Sequence, residues 1–203
     1  MRLRNRRTQA AQSLASRTGP RFLESVAASG IVLDDGQRRA IDEIAGSEEA
    51  GIYLYGPAGR GKTVLATLFF DAIPELHKVR IHFHNFLADI QTLIARHGMS
   101  HQEAIQSVVG EARAVFFDEF HVHDVADAIY LTELLRTLCD GSRLIIATSN
   151  YAPADLLPNP LFHSRFLPAI DLITKTMTAT TVGDGPDYRR RLVRSDKGFS
   201  SGT

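Results

Sequence analysis

From Gly51 to about residue 182, short apolar runs alternate with longer stretches whose apolar residues recur at helical spacing, the order expected of βαβ units stacked into a parallel sheet. The run Ile52-Tyr53-Leu54-Tyr55 reads as a buried strand. Lys62 to Ala72, with Leu65, Leu68 and Phe69 in helical register, reads as the helix after it, stopped by Pro74. Val79 to His84 reads as a second strand, followed by a helix through Phe86, Leu87, Ile90 and Leu93. Ala114 to Phe117 forms a third strand that ends at Asp118. Asp124 stands where it would cap a further helix carrying Ile129, Leu131, Leu134, Leu135 and Leu138, with Gly141 to end it. Arg143 to Thr148 supplies a fourth strand, Tyr151 to Pro160 a loop with one short helical turn, and Met177 to Val182 a fifth strand. The expected class is α/β, with one parallel five-stranded sheet, and no internal repeat at a fixed period is visible.

Composition narrows the picture further. Lys+Arg and Asp+Glu both number 23, so no net charge draws the chain onto nucleic acid or an anionic membrane, and any charged binding surface must be local. The single cysteine, Cys139, cannot close an internal disulfide and falls in a helical pattern, which points to core packing and a reducing compartment. No apolar run approaches the roughly 20 residues that a membrane-spanning helix requires, and the opening has no hydrophobic signal core. It is rich in arginine instead: Arg2, Arg4, Arg6, Arg7, Arg17 and Arg21 all precede the first acid, Glu24. The plain reading is a solvated, partly disordered tail, with a mitochondrial presequence or a phosphate-seeking arm as alternatives. After Gly183 the chain turns polar and basic again, and no core element is expected there.

The chemistry is concentrated in two places. Gly56-Pro57-Ala58-Gly59-Arg60-Gly61-Lys62-Thr63 matches G-x-x-x-x-G-K-[ST] between a predicted strand and a predicted helix, the setting in which a backbone loop cradles phosphates. Lys62 would reach the β- and γ-phosphates of ATP, the Thr63 hydroxyl would bind Mg²⁺, and Val64 follows in the first turn of the helix. At the end of the third strand, Asp118 is placed to hold Mg²⁺ and Glu119 to deprotonate the attacking water. That Asp-Glu pair favours hydrolysis over passive binding. Asn150, just past the fourth strand, could bond the γ-phosphate or the water, or serve only as a turn asparagine. The pairs His82/His84, sharing a strand face, and His121/His123 lack a third ligand for a transition metal and fit better around the γ-phosphate pocket or beside the sheet.

These segments, together with His82-Phe83-His84-Asn85-Phe86, Phe117-Asp118-Glu119-Phe120, Asp124, Asp127, Ala128, Ala147-Thr148-Ser149-Asn150, Arg165-Phe166-Leu167-Pro168-Ala169-Ile170 and Asp187-Tyr188-Arg189, resemble the ZapE family of AAA+ ATPases. These are bacterial cell-division ATPases akin to the mitochondrial lactation-elevated ATPase. The resemblance spans roughly Asp34 to Arg189. It implies a P-loop NTPase of AAA+ type with a three-layer αβα domain, Asn150 as first sensor, and Arg165 as an arginine reaching ATP in a neighbouring subunit. It also puts Gln37 near the adenine base. Family members continue past the Tyr-Arg motif into a region that includes a helical lid, so a form lacking that C-terminal region, and with it the second sensor arginine, is expected. His163 stands where relatives can carry a further arginine.

The expected organisation is a basic N-terminal tail and helix over 1–33, the AAA+ nucleotide-binding domain over 34–183, and a polar C-terminal tail over 184–203. The expected function is Mg²⁺-dependent hydrolysis of ATP to ADP and phosphate, coupled to remodelling of a protein partner in cell division. The partners are ATP, further copies of the chain in a ring or a partner ATPase subunit, and a protein substrate such as a division-ring protein. Nucleic acid is not expected, and the compartment is the bacterial cytoplasm, or the mitochondrial matrix in a eukaryote. The rival reading is a nucleotide-gated adaptor, like a helicase loader, that turns over little and uses its arginine-rich ends on DNA. Such binding should weaken steeply with salt.

Overall fold

The computed structural model describes residues 2–122, 125–157 and 160–183. Its five strands, β1 (Gly51–Tyr55), β2 (Lys78–His82), β3 (Ala114–Asp118), β4 (Leu144–Ser149) and β5 (Thr178–Thr181), form one sheet in the order β2-β3-β4-β1-β5. Every pairing is parallel. The three central strands are almost wholly buried, which is why they read as unbroken apolar runs, whereas the edge strands β2 and β5 are partly exposed and more polar. Because β1 does not pair with β2, the chain crosses to the far edge after its first strand. The carboxyl ends of β1, β4 and β3 therefore lie side by side, the edge where open α/β sheets collect ligands.

Alternating strand residues face two separate cores. Ile52, Leu54, Phe116, Leu144 and Ile146 pack under α1 (Arg2–Ala28), α2 (Asp35–Ala45) and α3 (Lys62–Ala72). Tyr53, Val115, Phe117, Ile145 and Ala147 pack under α4 (Phe83–His97), α5 (His101–Val109), α6 (Val125–Leu138) and α7 (Pro160–Thr176). The result is the expected three-layer αβα arrangement. Cys139 is half-buried against the second core; burial pushes its thiol pKa up to about 12, in keeping with a packing role.

The opening segment departs from the expectation of a solvated tail. α1 runs for 27 residues, and Ala11, Leu14, Ala15, Thr18 and Phe22 form one buried face. Phe22 meets Phe69 of α3 edge to face at 5.4 Å, and the Thr18 hydroxyl donates to the Leu14 carbonyl, so its burial leaves no orphan donor. Gly19 lets α1 cross α2 closely: a Cβ there would sit 2.1 Å from the Ala45 carbonyl oxygen. Gly19→Ala should therefore lower stability by about 1–3 kcal/mol through overpacking, although alanine favours a helix by itself. Circular dichroism is expected to record a melting temperature lower by roughly 3–10 °C; an unchanged or higher value would rule out this close crossing.

One other expectation changes. β2 stops at His82, and Phe83 begins α4, so His84 lies on a helix and does not share a strand face with His82. Helical spacing buries Phe83, Phe86, Leu87 and Ile90 together, with Phe83 and Phe86 against Phe117, and that burial outweighs continuing an exposed edge strand. The stretch after the Tyr151–Pro160 region is the long helix α7. The proposed cap Asp124, His123 and the tail 184–203 lie outside the described residues, and α6 ends at Leu138, ahead of Gly141.

Candidate nucleotide-binding site

The loop Gly56 to Gly61 leaves β1 and opens directly into α3. Gly61 caps that helix in the left-handed region, φ 85°, and a Cβ on it would lie 2.9 Å from Gln37 Nε2, so glycine is required on both conformational and steric grounds. Gly56 at φ 134° likewise turns the chain out of the strand. Gln37 braces the loop from behind: its Nε2 donates to the Arg60 carbonyl at 3.0 Å while its Oε1 accepts from Asp34 N–H. It is buried with both ends of its amide engaged, which makes it a brace for the loop.

Lys62 is buried and folded onto the loop. Its Nζ donates to the carbonyls of Gly56 and Pro57, both at 2.8 Å, and to Asn150 Oδ1 at 3.1 Å. Lysine and asparagine, far apart in the chain, are thus joined because β4 lies next to β1. Thr63 donates its hydroxyl to Asp118 Oδ1 at 3.1 Å, linking the helix after the loop to the end of β3.

Asp118 is buried and has three partners: Thr63 and Thr148 on Oδ1, the latter at 2.7 Å, and Arg80 Nη2 on Oδ2. Burial pushes its carboxyl pKa up, but hydrogen bonds from Arg80, Thr148 and Thr63 and the guanidinium charge outweigh this and hold it below the ordinary carboxylate range. The group is therefore a fixed carboxylate. Glu119, by contrast, is exposed at the cleft and sits at φ 58°, a conformation costing a non-glycine residue about 1–2 kcal/mol. Thr148 holds it there: its hydroxyl oxygen accepts from Glu119 N–H at 3.1 Å, and its carbonyl accepts from Phe120 N–H at 2.6 Å. His121 Nδ1–H donates to the Glu119 carbonyl at 2.6 Å.

Lys62, Thr63, Glu119, His121, Thr148 and Asn150 line one open cleft of about 600 Å³, together with Ala58, Gly59, Arg60, Val64, Ser149 and Tyr151, and the buried Asp118 is bonded to its lining through Thr63 and Thr148. Tyr53 anchors the loop beyond β4 by donating its hydroxyl to the Tyr151 carbonyl at 3.0 Å, and burial raises its pKa well above the ordinary tyrosine value. Of the residues singled out in the sequence, Lys62, Thr63, Val64, Asp118, Glu119 and Asn150 converge here. Gly56 and Pro57 take part through their carbonyls. Arg165 lies in α7, and its side chain is outside the described residues. Arg80 and Thr148 were missed as site residues; only the pairing of β2, β3 and β4 brings them to Asp118.

A family model described as AFG1-like ATPase matches residues 2–202, nearly the whole chain. The chain belongs to that family. Cell division protein ZapE of Escherichia coli K12 is 39% identical over 146 residues, covering 70% of this chain and 39% of that protein. Lactation elevated protein 1 homolog B of Danio rerio is 30% identical over 158 residues, covering 71% and 31%. The chain thus spans well under half the length of these curated relatives. Among solved structures, DnaI matches with a TM-score of 0.57 at 18% identity, covering 79% of this chain and 89% of that one. AMPPCP-bound DnaA of Aquifex aeolicus matches at 0.55 and 16%, covering 82% and 53%, and the DnaC helicase loader at 0.56 and 15%, covering 79% and 98%. At these identities the likeness is one of fold.

The cleft fits the nucleotide and divalent cation that this family implies. The loop turns at Gly56, Gly59 and Gly61, all at positive φ, and a hydroxyl and a carboxylate, both hard oxygen donors, meet at Thr63 and Asp118. Arg60 adds two buried guanidinium nitrogens, Nε and Nη1, that have no hydrogen-bond acceptor among the described residues.

Proposed function

We propose that this chain binds ATP with Mg²⁺ in the cleft between the phosphate loop and the ends of β3 and β4, and hydrolyses it to ADP and phosphate. Hydrolysis would drive remodelling of a protein partner, in cell division as the name of the relative ZapE suggests. The reading is carried by one observation: Lys62, Thr63, Glu119 and Asn150, brought together by the ends of β1, β3 and β4, line a single cleft in which Lys62 bonds Asn150 and Thr63 bonds the buried Asp118. Lys62 exchanges its bonds to the loop carbonyls for the β- and γ-phosphates, while Asn150, already bonded to Lys62, follows the γ-phosphate. Thr63 and Asp118 hold Mg²⁺. When bound, the ion neutralises phosphate charge and orients the triphosphate for in-line attack. Glu119 aligns a water and accepts its proton.

The arginine expected to stabilise transition-state charge is Arg165, acting on ATP held by an adjacent copy of the chain or a partner ATPase subunit. The compartment is the bacterial cytoplasm, or the mitochondrial matrix in a eukaryote; no described helix is long and apolar enough to cross a membrane. Steady-state ATP hydrolysis measured against protein concentration tests the whole scheme. Specific activity should rise with concentration, and Arg165→Ala should remove at least about tenfold of it while leaving nucleotide binding intact. Tight binding without turnover at any concentration would favour the nucleotide-gated adaptor instead, and salt-sensitive DNA binding would then identify its target class.

A further inference from the structure

Arg80 lies outside the phosphate loop and outside the Asp-Glu pair, on the edge strand β2, yet it is fixed at the cation site from three sides. Its Nη2 donates to Asp118 Oδ2, its Nη1 donates to Thr67 Oγ1 at 3.1 Å one turn along α3 from Thr63, and its guanidinium carbon lies 4.7 Å from the centre of the Phe116 ring. A stacked, forked cation of this kind holds a carboxylate in one orientation, which a flexible ammonium does not. Asp118 accordingly turns Oδ1 toward Thr63 and Thr148 and Oδ2 toward Arg80. The Asp118 side chain is 6% exposed and that of Arg80 39% exposed, so the pair is buried at its carboxylate end and open to water on the strand edge. Lys62, Arg60 and Arg80 bring three positive charges to the neighbourhood of two negative ones, Asp118 and Glu119. A second cation meets a carboxylate whose charge is already matched.

We propose that Arg80 is a positioning and charge-balancing residue of the cation site: it aims Asp118 at Thr63 and cancels its charge, so that a divalent cation binds there only together with the phosphates of a nucleoside triphosphate. The inference rests on the Mg²⁺-nucleotide reading above. Nucleotide supplies the negative charge that the site lacks, and the carboxylate oxygen nearest Thr63 is already oriented to complete the coordination.

Mn²⁺ binding, followed by the loss of the free-ion electron paramagnetic resonance signal, tests this on the 203-residue chain with and without a non-hydrolysable ATP analogue. Without nucleotide, Arg80→Gln should bind Mn²⁺ at least about tenfold more tightly than the wild type, because one repelling charge within a few ångströms has gone. Adding Asp118→Asn should abolish the gain. Arg80→Lys, which keeps the charge, should show no gain without nucleotide but should bind Mn²⁺ more weakly than the wild type with the analogue, because an ammonium does not hold Asp118 in one orientation. No gain in Arg80→Gln, a gain that survives Asp118→Asn, or an equal gain in Arg80→Lys overturns the proposal; the lysine variant decides the matter should the glutamine variant not fold. Wild type that takes up Mn²⁺ only with the analogue while Arg80→Gln gains nothing removes the Arg80 inference alone. Wild type that takes up no Mn²⁺ even with the analogue removes the reading beneath it.

Discussion

Glu119→Gln should bind ATP as the wild type does and lose hydrolysis by about 10²–10⁴-fold, the range expected when a general base is removed. Glutamine is nearly isosteric, and the backbone that places residue 119 is held by Thr148 through its hydroxyl and its carbonyl, neither of which the substitution touches. The left-handed backbone conformation is also retained, since glutamine adopts it at a cost similar to glutamate. Only the proton-accepting oxygen is lost. Nucleotide contacts from Lys62, Thr63 and Asp118 remain, so affinity for a fluorescent ATP analogue should change by less than about threefold while phosphate release falls to the background rate. Turnover within tenfold of the wild type would move the role of base away from Glu119, with His121, bonded to its carbonyl at 2.6 Å, as the next residue to substitute.

The parts of the fold that were legible beforehand are those where a single physical effect dominates. β1, β3 and β4 are buried on both faces and so appear as continuous apolar runs; α3 spans Lys62 to Ala72, the expected limits, because the phosphate loop sets its start and Pro74 follows its end. A helix was expected within 1–33, but the extent of α1 and its packing were not, because the buried face mixes Leu14 and Phe22 with Ala11, Ala15 and Thr18, a stripe too small and too polar to register as an apolar period. The start of α2 at Asp34 and of α5 at Ser100 carried a readable signal: Gln37 and Glu103, three residues on, complete capping boxes at both. α7 could also have been suspected from Pro160 at its first position and the helical spacing of Phe166, Ala169 and Ile173.

At the site, local motifs such as Gly61-Lys62-Thr63 and Asp118-Glu119 single out residues that the fold does bring close together. Contacts made across the sheet were not recoverable from spacing. Arg80 on an exposed edge strand reads as a solvent-facing charge until the pairing of Ile81 with Phe117 and of His82 with Asp118 brings it beside the carboxylate. Thr148 reads as a strand-end residue until β4 is known to lie beside β3, where its one hydroxyl serves both Asp118 and Glu119. The amide of Gln37 is a further contact that spacing does not reveal: its hydrogen bonds to Arg60 and Asp34 brace the loop.

Lys62→Ala should abolish the stabilisation that nucleotide confers and reduce turnover by at least about 10²-fold, the scale of losing one preorganised charge from a transition state. In the wild type, an ATP analogue with Mg²⁺ at a hundred times its Kd should add about 2.7 kcal/mol, which for a domain of this size raises the melting temperature by roughly 5–10 °C. The variant lacks the cation proposed to meet the β- and γ-phosphates, and it also loses the three bonds from Nζ that tie Gly56 and Pro57 to Asn150. The free protein should therefore melt slightly lower as well, since each such bond to a charged donor contributes about 1.5–3 kcal/mol before the acceptors turn to water. The two effects separate cleanly: a loop loosened without loss of the phosphate contact would lower the melting temperature of the free protein yet keep the nucleotide-induced rise. Differential scanning fluorimetry with and without the analogue distinguishes them, and a variant that keeps the full rise would mean that the backbone cradle alone holds the nucleotide, leaving Lys62 to act on loop geometry.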